Sequence, residues 1–185
     1  LNVTEKRQVV FVPVPARPEL VRVDPEYTLL AELKEKKSRA WWKQQLVSAP
    51  SVPERLRAVA HFRGSRAEAD RKLLITALTA DPFYGVRVEA AGALGRTGGR
   101  TARKALISGL AQPHPKVRRA CASALGRFRG EDDVSEVLAA KWKLGDESYR
   151  VEAAVLASLS RLAEQPDVKL LTAALEKDSH GEAIR

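Results

Sequence analysis

The 185-residue chain contains no methionine and a single cysteine, Cys121. A lone cysteine excludes an internal disulfide and any cysteine-built zinc cage. Cys121 falls on an apolar helix face, where a small buried filler is expected rather than a reactive thiol. Long hydrophobic runs are missing as well: none approaches the roughly 18–20 residues that span a bilayer. The opening LNVTEKRQVV has no basic region leading into an apolar stretch, which excludes a secretory signal there. With the initiator methionine also absent, the chain reads as a fragment whose targeting segment, if any, lies upstream. Histidines are few. His61, His114 and His180 stand 53 and 66 residues apart, a spacing that suits no metal site, so each is expected as a surface or turn residue. A phosphate-cradling loop is lacking too: GRTGGR at 95–100 has neither the G-K-[ST] ending nor a preceding strand, and is expected as an interhelical turn. No spacing of serine, histidine and carboxylate nominates a triad, so the chain is expected to carry no catalytic centre.

What is present is a repeat. An apolar residue followed by others four, seven and eight places later occurs as Val86, Ala90, Ala93 and Leu94, closed by Gly95. It returns as Val117, Cys121, Ala124 and Leu125, closed by Gly126, and as Val151, Val155, Ser158 and Leu159, closed by Ser160. A weaker first copy is Val52, Leu56, Val59 and Ala60. These offsets share one face of an α-helix. A second register runs between them: Leu74, Ala77, Leu78; Leu106, Gly109, Leu110; Leu138, Lys141, Trp142; Leu171, Ala174, Leu175. Starting from Val52 and from Leu74, the registers step by 34, 31 and 34 residues and by 32, 32 and 33. Two helices per unit of about 33 residues is the signature of an α-helical solenoid. The letters vary because only the packing slots are fixed.

Turn chemistry agrees with this division. Asp81-Pro82 is expected to cap and start one helix, Pro113 and Pro115 to break the chain before another, and Gly98-Gly99 and Gly145 to mark further turns. Glu131, Asp132 and Asp133 fall at a helix start, where acids complement the helix dipole, and are expected as capping rather than metal ligands. Ahead of the solenoid, QVVFVPVPARPELVRV at 8–23 reads as extended chain and edge strands, ahead of its reading as a proline-rich ligand. Asp24-Pro25 then opens a helix carrying Leu29, Leu30 and Leu33, and Ser38 caps another with Trp41, Trp42 and Leu46. Ile184-Arg185 falls where a fifth unit's apolar-Arg pair is due, so the solenoid is expected to be truncated there.

Acids are scarce in one window. Between Val86 and Gly130 Glu89 is the only one, against ten arginines and lysines, so the window carries +9 while the remainder balances. Candidate contacts for an acidic partner are Arg100, Arg103, Lys104, Lys116, Arg119, Arg127 and Arg129. Arg87 and Arg118 occupy a repeat position that is often structural, with Glu152 as their counterpart in the next unit. Five residues before each Val-Arg pair or its counterpart stand Asp81, Gln112 and Asp146, so an Asp–Arg ladder linking units would be broken at Gln112 and Glu152. Lys141 fills a slot that is alanine or glycine elsewhere, so its unit should bend or present a different surface.

VRVDPEYTLLAELKEKKSRAWWKQQLVSAPSVPERLRAVAHF, DPFYGVRVEAAGALG and DESYRVEAAVLASL together resemble the C-terminal part of bacterial aminopeptidase N-like zinc metallopeptidases. The resemblance spans about residues 18–185. It implies an all-α fold, a right-handed α-α superhelix of the HEAT or armadillo kind, with a short N-terminal extended or β segment. Residues 1–23 would be the tail of a β-sandwich domain or a linker, and 24–185 the HEAT-like domain. The family's H-E-x-x-H zinc helix is not in this chain, so no catalytic or cofactor-binding residue is carried over and zinc belongs to the implied parent hydrolase. The implied function is a non-catalytic domain that covers the parent's catalytic cleft and contacts its catalytic and β-sandwich domains, other proteins or peptides. The alternative is a stand-alone basic HEAT-like scaffold that binds nucleic acid or an acidic protein. The composition fits a soluble globular protein, with the cytoplasm favoured over the periplasm or secretion.

Overall fold

The computed structural model describes residues 4–165 and 167–177. Within them the chain forms α1 (Arg39–Ser48), α2 (Val52–Phe62), α3 (Glu68–Ala80), α4 (Tyr84–Thr97), α5 (Arg100–Gly109), α6 (Pro115–Leu125), α7 (Asp132–Leu144), α8 (Tyr149–Leu162) and α9 (Val168–Glu176). Helices pair as α1–α2, α3–α4, α5–α6 and α7–α8; α2, α4, α6 and α8 stack in one layer, and α1, α3, α5 and α7 in the other. This is the all-helical solenoid that the interleaved registers require.

Each slot does what its residue type allows. Val86, Ala90, Ala93 and Leu94 are fully buried, as are Val117, Cys121 and Leu125. Burying one leucine stabilises by roughly 1.5–3 kcal/mol, so a row of such slots dominates the array. Where two helices approach most closely the slot is glycine. A Cβ on Gly109 would stand 2.4 Å from Cys121 Sγ, and one on Gly95 would stand 2.8 Å from Ala124 Cβ. Between helices, Gly98 (φ 64°) and Gly99 (φ 87°) take the left-handed backbone that links α4 directly to α5.

The weak first copy is out of phase by two residues. Val52 and Leu56 are only half-buried and Ala60 is exposed, whereas Glu54, Arg55, Ala58, Val59 and Phe62 are buried. Glu54 therefore stands in the slot of Val86, Val117 and Val151, and a charged residue in an apolar slot hid the phase.

The lead-in departs from expectation. No strand forms among the described residues, and residues 8–23 run outside helix and strand with Phe11 and Val12 exposed. No helix follows Asp24-Pro25. Asp24 (φ 43°) and Tyr27 (φ 55°) adopt left-handed backbone, and the Asp24 carboxylate accepts the N–H groups of Thr28 and Leu29 at 2.8 and 2.9 Å. That local bonding closes a turn and competes with helix formation. The first helix starts at Arg39, with Ser38 Oγ capping Trp41 N as expected. Pro82 likewise lies in a turn before α4 instead of opening it, while Pro115 does open α6; Glu131 holds the N-cap position of α7, but its side chain makes no cap bond and meets Arg103 instead.

The lead-in is nonetheless anchored. Arg22 meets buried Glu54 in a bidentate pair (2.7 and 2.5 Å), and Ser51 Oγ donates to Pro25 O at 2.7 Å. Glu35 pairs with Lys37 and Arg57. The charged slot at Glu54 thus meets the strap that covers the first unit, where interior units meet another helix pair. His180 and Ile184-Arg185 lie outside the described residues.

Candidate functional site

Adjacent units are tied by a ladder of side chains at the turns within each helix pair. Arg55 forks onto Asp81 with Nε and Nη2 (2.8 and 3.3 Å) while its Nη1 donates to the Ala49 and Pro50 carbonyls. Arg118 repeats this: 2.8 and 2.7 Å to Asp146, with Nη1 on the Gln112 and Pro113 carbonyls. Both aspartates also accept the N–H two residues on, from Phe83 and Ser148. One carboxylate therefore ties a unit to its neighbour and fixes the start of its own second helix. Such charge-assisted forks are among the stronger hydrogen bonds.

The two irregular rungs differ in kind. At Gln112 the fork is lost: Gln112 Nε2 donates to Leu78 O at 3.4 Å, and among the described residues the Arg87 guanidinium bonds only Asp81 O, at 3.1 Å. At Glu152 the rung is reversed rather than broken. Glu152 Oε1 accepts from Lys177 Nζ at 2.5 Å and from Asp146 N at 3.0 Å. Burial alone would raise the Asp146 pKa, but hydrogen bonds from Arg118, Lys141 and Ser148 hold it at about 2.

The second-helix layer carries a row of cations. Arg96, Arg127 and Arg161 each follow the residue that closes the repeat (Gly95, Gly126, Ser160), and Arg63 ends the first copy beside Phe62. Arg63 pairs with Glu89 at 2.7 Å and Arg161 reaches Ser123 O at 3.5 Å; Arg96 and Arg127 are exposed, without an ion pair among the described residues. A cavity of about 390 Å³ between α4 and α6 joins Arg63, Arg96 and Arg127 across a floor that includes Val88, Gly92, Ala120 and Ala124. Arg96 and Arg161 were not among the expected contacts, although the strings LGR, LGR and LSR at 94–96, 125–127 and 159–161 carried the signal.

The seven expected contacts are not gathered on one face. Arg103 is tied to Glu131 and Asp133. Lys116 sits at the start of α6 with its Nζ 5.1 Å from the Tyr84 ring centroid, whereas Arg127 lies just beyond the other end of α6. An eleven-residue helix separates such ends by roughly 16 Å. Arg119 is half-buried on α6; Arg100, Lys104 and Arg129 are exposed. His114 caps α6 and stacks on Tyr84 at 4.0 Å, and His61 stacks on Trp42 at 4.7 Å. Burial pushes the Cys121 thiol up to about 12, so it stays protonated as a core filler. Among the described residues no three His, Cys, Asp or Glu side chains come together as a metal site, and no helix is long and apolar enough to cross a membrane.

Residues 71–143 match the sequence profile of HEAT repeats. None of the curated proteins compared matches the chain. The fold is similar to a chain in the structure of the complex of CpcE and CpcF of phycocyanin lyase from Nostoc sp. PCC7120, at 21% identity and a TM-score of 0.55, covering 84% of this chain and 76% of that one. That neighbour comes from a phycocyanin lyase complex and not from a peptidase, and the likeness extends over 76% of it. The resemblance to aminopeptidase N-like metallopeptidases is thereby overturned, and with it the cleft-covering role, the zinc-bearing parent and the parent's domains as partners. The strings that carried it are repeat-packing residues: Asp81 and Asp146 are ladder carboxylates, while Val86, Ala90, Leu94, Val151 and Val155 are buried slots.

Proposed function

We propose that this chain is a HEAT-repeat scaffold that holds an acidic protein partner along the arginine row of its second-helix layer. In this reading residues 24–185 form the scaffold, residues 1–23 are a linker, and Arg127 is the shared member of the expected contacts and the row. The observation that carries the reading is Arg96 and Arg127, exposed and without an ion pair among the described residues at one repeat position, flanking a groove lined by Val88, Gly92, Ala120 and Ala124 as well as Glu89 and Ser123. Repeated cations at unit spacing suit the carboxylates of a protein surface, and Val88 and Ala120 offer apolar contact that a phosphate backbone cannot use. The tie of Arg103 to Glu131 further interrupts any phosphate track. The solved neighbour comes from a complex of two proteins, which supports protein contact as a use of this fold.

Fluorescence anisotropy with a labelled peptide of alternating glutamate and leucine, against a labelled DNA duplex, tests the reading. The peptide should bind with affinity that falls as salt rises, and Arg96→Glu with Arg127→Glu should weaken it at least about tenfold, the scale of one desolvated charge contact. Tighter binding of the duplex, or a peptide indifferent to the double substitution, would refute it.

A further inference from the structure

A larger opening lies on a different part of the solenoid. Between the ends of α5 and α7, above the Arg118–Asp146 rung, is a cleft of about 910 Å³. The repeat-equivalent opening above Arg55–Asp81, between α1 and α3, is about 240 Å³. The residue in the shared slot accounts for the difference. Ala77 fills it in α3, and Lys141 fills it in α7. Too long for a close helix seam, Lys141 turns aside to Asp146 Oδ2 at 2.9 Å and Gly145 O at 3.1 Å. The space left open is walled by Ile107, Val137, Ala140 and Leu144, of which Leu144 is 83% exposed.

The floor has one unmet demand. Arg118 commits four of its five N–H groups to Asp146 and two carbonyls. Glu152, only 4% exposed and lining the cleft, uses Oε1 for Asp146 N and Lys177 but has no donor on Oε2 among the described residues. A buried carboxylate oxygen without a donor is unfavourable, and a ligand N–H would relieve it. Glu147 adds a further negative charge to the lining. At this volume the cleft exceeds what one amine fills and lies within the range of sites that hold several side chains.

We propose that the α5–α7 cleft binds a lysine or arginine of a protein or peptide partner, its charged group donating to Glu152 Oε2 and its aliphatic neighbours lying on Ile107, Val137 and Leu144. The site is independent of the arginine row and opposite in its choice of charge. The chain's formal net charge of +9 repels cations in general, so retention of a basic peptide requires this local carboxylate.

The test titrates the full chain with a dansyl-labelled pentapeptide, Leu-Leu-Lys-Leu-Leu, beside versions with norleucine or glutamate at the centre. The lysine peptide should bind best and the glutamate peptide worst. Glu152→Gln keeps the side chain's size and its acceptor for Asp146 N, and should weaken the lysine peptide at least about tenfold, equivalent to 1.4 kcal/mol, while leaving the norleucine peptide unchanged. Should Glu152→Gln fail to fold, as a thermal melt would reveal, Ala140→Trp at the exposed wall should fill the cleft and abolish binding of both peptides. Equal binding of lysine and norleucine peptides, no binding of the lysine peptide, or full binding by Ala140→Trp would overturn the proposal.

Discussion

The α3–α5 seam and the α5–α7 seam come from one repeat, yet the first is shut and the second open. On the first, Gly109 lets Leu78 and Cys121 close against α5, and the rung above it is a neutral Gln112. On the second, Lys141 holds the slot and the rung is a full Arg118–Asp146 fork. Between these two seams apolar closure and ionic tethering trade places, whereas the α1–α3 seam has both Ala77 in the slot and the Arg55–Asp81 fork. Small residues bring helices together by shape, while a charged fork also ties units whose helices stand further apart.

Forcing the shut seam open should give the largest effect. Gly109→Leu places a side chain where a Cβ already meets Cys121 Sγ, and should cost about 3 kcal/mol in urea unfolding, the upper range for overpacking. A variant as stable as the parent would show that shape does not hold this seam. Cutting the tether of the open seam comes next. Asp146→Asn should cost roughly 2 kcal/mol at neutral pH, in line with a carboxyl pKa lowered from 3.8 to about 2. Because the folded-state pKa is depressed, this stability is fully present above pH 3.8 and lost as pH falls through 2. Acid titration should therefore show the parent converging on Asp146→Asn over that window; a constant gap between them would exclude the carboxylate as the source. The smallest effect should come from rebuilding the missing fork. Gln112→Asp offers Arg87, whose Nε has no partner among the described residues, the acceptor that Arg55 and Arg118 possess, and should stabilise by about 1 kcal/mol in thermal denaturation. Destabilisation would mean that the Gln112–Leu78 bond matters more than the fork.

Much of this is legible in the sequence. The registers of Val86 and Leu74 place α3 through α8 and most of their buried residues, because helical period and slot size are local properties of the letters. The sequence supports Asp–Arg pairing between units only as a conditional ladder broken at Gln112 and Glu152, whereas Gly98-Gly99 and Gly145 mark turns directly. The arginine row is not among the expected contacts although LGR recurs, because the cation after the closing glycine fills no packing slot and carries no helical period. The phase of α2 differs from the sequence expectation because Glu54 is buried against Arg22, a partner 32 residues away. The helix expected after Asp24 failed for a local reason: its side chain bonds the backbone that a helix would have used.

Sequence alone determined a stack of helix pairs with a period near 33 residues and one strongly basic window. Only tertiary structure decided how that surface is divided. Whether Arg103 is free depends on Glu131 at the next helix start, and whether Glu152 continues the ladder depends on Lys177 one helix further on. The α5–α7 opening likewise follows from how far one lysine keeps two helices apart. Helical period is written in neighbouring residues, but the neutralisation of a charge or the width of a seam depends on what the fold brings across the gap.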